Sequence, residues 1–264
     1  MPQTRSILWI NPVGTSAFDE PIREYLEAFR DGDTCLEVVS LAKGPSDLNQ
    51  LSDEASVVPA VVDIVRKSAF DAAIVGCFND TGLHESREIS DSLIVGPGES
   101  AHHLASRFGS RWAVLVSDRK CIPRMTSVAN RYGFDRSRVS FHSVGIPVHE
   151  FQANRGQTLH ILKEVAERAI EDELAESIVL GCTIQFGMFR VLQDALRVPV
   201  IDVAVAALKE AEAQVDLHRR TGWRHSSILT YARPGSRTGA SATVGSVDSL
   251  PSQQKTEGGF HGGV

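Results

Sequence analysis

Two cysteines end closely similar apolar runs, Ala72-Ala73-Ile74-Val75-Gly76-Cys77 and Ser177-Ile178-Val179-Leu180-Gly181-Cys182, and each is followed by residues patterned like the start of a helix. In open α/β sheets the reactive groups collect at the carboxyl ends of strands, where the next helix presents unpaired amide N–H groups. A thiol placed there is expected to ionise below its usual value of about 8.5, because those N–H groups and the helix dipole favour thiolate. One such cysteine reads as a nucleophile. Two built alike read as an acid and a base contributed by two related halves. Racemisation beside a carbonyl needs that arrangement, since one proton must leave one face of the carbon while another arrives on the opposite face. Donors near the carbanion, such as the backbone amides after each cysteine, would stabilise it, and no cofactor is then required.

The other residues with chemical potential read as structural. Cys35 and Cys121 lie in apolar surroundings and are expected to fill core. The four cysteines lack the close pairs of a zinc site, so no structural metal is expected. His102 and His103 are adjacent and would point about 100° apart on a helix, unlike an i, i+4 ligand pair, and His84 is expected at the surface. Gly96-Pro97-Gly98-Glu99-Ser100-Ala101 fits a dinucleotide fingerprint only weakly, because Pro97 stiffens the turn and Glu99 puts negative charge where a pyrophosphate would sit. There is neither a nucleophile elbow nor a P-loop lysine.

The elements that must hold the two thiols are legible. Ile- and Val-rich runs at 6–11, 36–41, 72–78, 92–95, 112–117, 139–142, 177–182 and 198–202 read as strands. Between them lie amphipathic stretches, clearest at Leu162, Val165, Ala166, Ala169 and Ile170, which share one helix face. Continuous apolar strands alternating with helices imply an α/β fold with parallel sheets covered on both sides. The expected arrangement is two pseudo-symmetric lobes, each a parallel sheet flanked by helices, with the active site in the cleft between them. Residues 1–97 plus 204–232 would form the first lobe and 98–203 the second. The segment 233–264 is rich in Gly, Ser and Pro and is expected to be a flexible appendage without catalytic role.

With 264 residues, 42% hydrophobic and 23% charged, the chain can build full cores without staples. A net charge of −6 without a basic stripe argues against a nucleic-acid partner. No apolar run is long enough to span a membrane and the first residues lead straight into a strand, so a cytoplasmic protein is expected. Its partners would be a small-molecule substrate and further copies of itself in a homo-oligomer.

Several segments resemble the aspartate/glutamate/hydantoin racemase superfamily, most closely its hydantoin racemase branch. Ile10-Asn11-Pro12 with Thr15-Ser16 resembles the opening "INPNTS" loop, and Gly76 to Leu83 with Arg87-Glu88 resembles the segment around "ACFDDPGL". Val95 to Ala101 is similar to "VGIGEAA", Gly145 to Val148 to "GIPV", and Ile178 to Cys182 to "IVLGC", with Val198 to Asp202 completing the series. The resemblance implies Cys77 and Cys182 as the two proton-transfer residues, with Asn11, Phe78, Asn79, Thr183 and Ile184 contacting substrate. Two departures stand out: the opening loop carries an extra residue, and Thr183-Ile184-Gln185-Phe186-Gly187-Met188 replaces the usual "AGM". The expected activity is cofactor-independent racemisation of a 5-monosubstituted hydantoin. The alternatives are an amino-acid racemase, a cis–trans isomerase, a decarboxylase or a non-catalytic sensor on the same scaffold. A free Asp or Glu substrate would need cations near the thiols, for which Arg87 and Arg190 are the candidates.

Overall fold

A computed structural model of the chain describes residues 4–233, so the segment expected to be a flexible tail lies, apart from Arg233, outside the described residues. All eight sequence-predicted strands are present. Strands β1 (Arg5–Asn11), β2 (Thr34–Ser40), β3 (Ala72–Val75) and β4 (Leu93–Val95) form one parallel sheet in the order β2-β1-β3-β4. Strands β5 (Trp112–Val116), β6 (Val139–Ser143), β7 (Ser177–Leu180) and β8 (Val200–Asp202) form a second in the matching order β6-β5-β7-β8. Each sheet reverses its winding between its first and third strands, which opens a crevice at their carboxyl ends.

Helices α1 (Asp19–Glu27), α2 (Leu51–Lys67) and α3 (Leu83–Ile89) belong to the first sheet, and α5 (Ile122–Arg131), α6 (Arg155–Glu173) and α7 (Phe189–Leu196) to the second. The predicted apolar stripe on α6 is its buried face: Leu162, Val165, Ala166 and Ala169 are covered by Ala113, Leu115, Ile178 and Leu180. The remaining two helices cross over. Helix α4 (Pro97–Phe108) leaves β4 yet packs on β7 and β8, while α8 (Val203–Thr221) leaves β8 yet packs on β1, β3 and β4. Ala204, Ala207 and Ala211 of α8 sit against Trp9, Ile74 and Val95, and Ala101 and Ala105 of α4 sit against Val114 and Val179. Small residues on both helices let them approach the sheets and each other closely, so the two lobes share core.

Two hydrogen bonds repeat this exchange. Tyr25 on α1 donates to Asp202 at the end of β8 (2.7 Å), and Tyr132 just past α5 donates to Asp80 in the loop after β3 (2.5 Å). Each aspartate also accepts the first amides of a crossing helix: Asp80 from Gly98 and Glu99 (2.9 and 2.7 Å), and Asp202 from Ala204 and Val205 (3.0 and 3.3 Å). Burial pushes the Asp80 carboxyl up to about 7 against the pull of these three donors. The N-terminus of α4 is therefore filled by the protein's own carboxylate, leaving no room there for a pyrophosphate. Gly98 permits this, since a Cβ there would collide with the Phe78 carbonyl and lie 2.9 Å from an Asp80 oxygen.

Removing the hydroxyl in Tyr132→Phe leaves a buried acceptor short of one donor. It is expected to lower the unfolding free energy by about 1–2 kcal/mol, read from denaturant midpoints at constant m-value.

Candidate active site

The glycine before each thiol explains how the two loops form. Gly76 N–H donates to the Ile10 carbonyl (2.8 Å) and Gly181 N–H to the Leu115 carbonyl (2.9 Å), each continuing the ladder one residue past the strand. The next amide turns back, Cys77 to Val75 (2.7 Å) and Cys182 to Leu180 (2.9 Å). The cysteine carbonyls then accept from Asp80 (2.9 Å) and Gln185 (3.0 Å). A Cβ on Gly76 would strike the Trp9 indole, and one on Gly181 would lie 2.7 Å from Val114 Cγ1, so both turns require glycine for close approach.

Both cysteines line a single cavity of about 90 Å³ between the lobes, together with Asn11, Phe78, Asn79, Thr183 and Ile184. Every residue named from the sequence thus reaches one space, but they meet it in different ways. Asn11 has its carbonyl occupied by Trp9 Nε1 (2.7 Å) and one amide hydrogen by Asp19 (2.6 Å), which leaves one N–H. Asn79 gives its side-chain amide to Glu54 (2.5 Å), while its Oδ1 is buried without a partner and is free to accept from an N–H. Thr183 Oγ1 crosses between the lobes to the Gly76 carbonyl (3.2 Å). Phe78 lines the cavity and also packs in an aromatic cluster, 5.5 Å from the His102 ring.

The thiols differ from the sequence expectation in their ionisation. Burial pushes Cys77 and Cys182 up, each to about 12, against amide hydrogen bonds from Asn79 to the first and from Ile184 and Gln185 to the second. The reason is local. No long helix begins at either cysteine: α3 starts only at Leu83, and Cys182 is followed by a 3-10 turn over Thr183–Gln185. Each sulfur thus meets one or two amides rather than a full helix terminus, and loss of water outweighs them.

Other expectations are corrected as well. Cys35 is exposed on β2 rather than core filling, and Cys121 belongs to the core yet also walls the cavity. His84 is half-buried and hydrogen-bonds Tyr231 (2.8 Å), and His102 is fully buried, accepting from Trp112 Nε1 (3.0 Å) with its own pKa pushed down to about 3 by burial. Arg87 is committed to the Ile94 carbonyl and Glu99, and Arg190 lies over Phe29 and Phe189. Neither lines the cavity. The cation that does is Arg124, which sequence reasoning missed. It pairs with Glu54 (3.2 Å) and donates to the Leu48 carbonyl (3.2 Å). Ser117, also missed, had a readable signal: it follows β5 as Asn11 ends β1, so it occupies the matching crevice of the second sheet.

Two like parallel-sheet lobes closing on one small cavity define a two-lobed α/β enzyme acting on a small molecule. The sequence matches the Asp/Glu/Hydantoin racemase family over residues 7–211. The chain belongs to that family and is an enzyme of the racemase/isomerase class. It is 31% identical over 228 residues to a hydantoin racemase of Pseudomonas sp. (strain NS671), an alignment spanning 85% of this chain and 90% of that protein. Among solved structures it is similar to the allantoin racemase of Klebsiella pneumoniae (27% identity, TM-score 0.81, 88% and 94% of the two chains). The allantoin racemase of Pseudomonas fluorescens is comparable (25% identity, TM-score 0.80, 87% and 97%). Among the described residues no helix is long and apolar enough to cross a membrane.

With pKa values raised by burial, the thiolate fraction of Cys77 and Cys182 falls tenfold for each unit of pH below about 12. Their alkylation by iodoacetamide at pH 8, followed by peptide mass spectrometry, is expected to be more than tenfold slower than that of free cysteine and to climb without a plateau through pH 10.

Proposed function

We propose that the enzyme racemises a small uncharged carbonyl compound with an acidic Cα–H, a 5-monosubstituted hydantoin, using Cys77 and Cys182 as opposed bases. The observation that carries this reading is that both thiols, at equivalent turns of two like lobes, wall the same cavity. One sulfur, as thiolate, takes the proton from Cα while the other, as thiol, delivers its proton to the opposite face; the electron pair rests meanwhile on the enolate oxygen. After one turnover the protonation states of the sulfurs are exchanged, so the reverse reaction starts from the other cysteine. Asn79 Oδ1 suits a ring N–H, and the remaining Asn11 N–H suits a ring carbonyl.

Charge separates the hydantoin from a free amino acid. Arg124 is the cation in the cavity wall among the described residues, and it is already balanced by Glu54, while Asp47 adds a further carboxylate. A substrate carboxylate would have to compete with Glu54 and Asp47 for Arg124, whereas a neutral ring leaves the balance undisturbed. Phe18, Leu48, Met125, Val148 and Ile184 supply apolar surface for the 5-substituent.

Cys77→Ser and Cys182→Ser are each expected to lose racemisation by more than a thousandfold, followed by circular dichroism over a panel of hydantoins and free amino acids. In deuterated solvent each variant should still exchange the Cα hydrogen of one enantiomer, and the two variants should exchange opposite ones. Near-wild-type racemisation by both would overturn the assignment.

A further inference from the structure

A second hollow adjoins the cavity that holds the thiols. It measures about 260 Å³, and Asn49, Ser117 and Cys121 wall both spaces, while Gln50, Asp118 and Lys120 wall the hollow alone. The cavity of about 90 Å³ has room for a ring and little more, whereas the two spaces together reach the size usual for small-molecule sites, roughly 300–1,000 Å³. Asp118 and Lys120 come from the turn after β5, and Asn49 and Gln50 from the loop before α2, so both lobes build the hollow as they build the cavity. Its polar groups are only partly spent. The Lys120 ammonium reaches across the lobes to the Gln50 side-chain carbonyl and forms no ion pair among the described residues. One Asp118 oxygen accepts from the Lys120 backbone amide (2.7 Å), which leaves the other free to accept. The Asn49 side-chain amide makes no hydrogen bond among the described residues. Gln50, Asp118 and Lys120 are exposed, so this end of the site opens to solvent.

We propose that this hollow is a subsite for the end of the 5-substituent, and that the enzyme selects hydantoins whose side chain is a short aliphatic stem ending in a neutral primary amide, with Lys120 setting that preference. The inference rests on the hydantoin reading and deepens it by naming the substituent. With the ring between the thiols, the stem passes Ser117 and Cys121, which border both spaces, and the tip enters the hollow. There the tip carbonyl takes the place of Gln50 at the Lys120 ammonium, and the tip NH₂ donates to the free Asp118 oxygen. Asn49, at the threshold, can serve either half of an amide. The mixed charge of the wall is what singles out this group. A carboxylate would gain Lys120 but face Asp118, an ammonium would gain Asp118 but face Lys120, and a neutral amide satisfies both. An apolar tip would displace the contact between Lys120 and Gln50 and return nothing for it.

The test compares three hydantoins of similar size that carry a carbamoylethyl, a carboxyethyl or an isopentyl group on the ring carbon that racemises. Racemisation is followed by circular dichroism in the wild type, Lys120→Met and Lys120→Arg. A hydrogen bond to a charged group is worth about a factor of ten, so wild-type kcat/KM should be about tenfold higher for the carbamoylethyl compound than for the isopentyl one, with the carboxyethyl compound below the amide. Lys120→Met should bring the ratio of amide to isopentyl near one, and Lys120→Arg should keep it within about threefold of wild type. A ratio that Lys120→Met leaves unchanged, or a wild-type preference for the isopentyl or carboxyethyl compound, overturns the subsite and leaves racemisation by the thiols standing. Binding of the same compounds is measured by titration calorimetry on racemates, which undergo no net reaction. If none of the three is racemised, the hydantoin reading fails. The subsite then stands if the carbamoylethyl compound binds about tenfold tighter than the isopentyl one and loses that margin in Lys120→Met, and it is overturned if no such margin exists.

Discussion

The exchange of helices between the sheets is the constraint on which the rest depends. Because α4 starts on one sheet and packs on the other, and α8 does the reverse, neither lobe can bury its own apolar faces alone. The two residues that accept the first amides of those helices, Asp80 and Asp202, also receive a tyrosine hydroxyl from the opposite lobe. The cross-ties hold the carboxyl ends of β1 and β3 opposite those of β5 and β7, and the thiols face one cavity as a result. An anion-binding helix terminus is given up at α4 to achieve this, since its first amides serve Asp80.

The cavity shows how near-symmetry in backbone and asymmetry in side chains are combined. Racemisation calls for equivalent groups on the two faces of a carbon, and in the proposed mechanism the repeated Gly-Cys turns, with the same ladder extension and the same reverse turn, would supply them. A substrate is not symmetric about that carbon, and the walls are not either: Asn79 follows Cys77, and Thr183 and Ile184 follow Cys182. The backbone repeat positions the sulfurs, and burial dominates their ionisation.

Burial gives the site its reactivity problem and part of its solution. Thiols this high carry little thiolate in the empty enzyme, yet a dry cavity strengthens each amide that meets developing negative charge. Glu54 pairs with Arg124 and Asp47 adds a carboxylate, so the cavity wall offers little net positive charge, in keeping with the proposed neutral ring.

The strands were legible because fully buried parallel strands are continuous apolar runs, and α6 because its apolar spacing matches one helix face. The two Gly-Cys turns and the residues beside them could likewise be read from position at strand ends. Sequence did not reveal that Phe78 also packs in an aromatic cluster, that Cys121 and Ser117 reach the cavity, or that both thiols are pushed up rather than down. Those facts depend on what surrounds an atom in space. Local pattern dictates which face of an element is apolar, whereas desolvation and the pairing of Glu54 with Arg124 exist only once the crossing helices bring distant parts of the chain together.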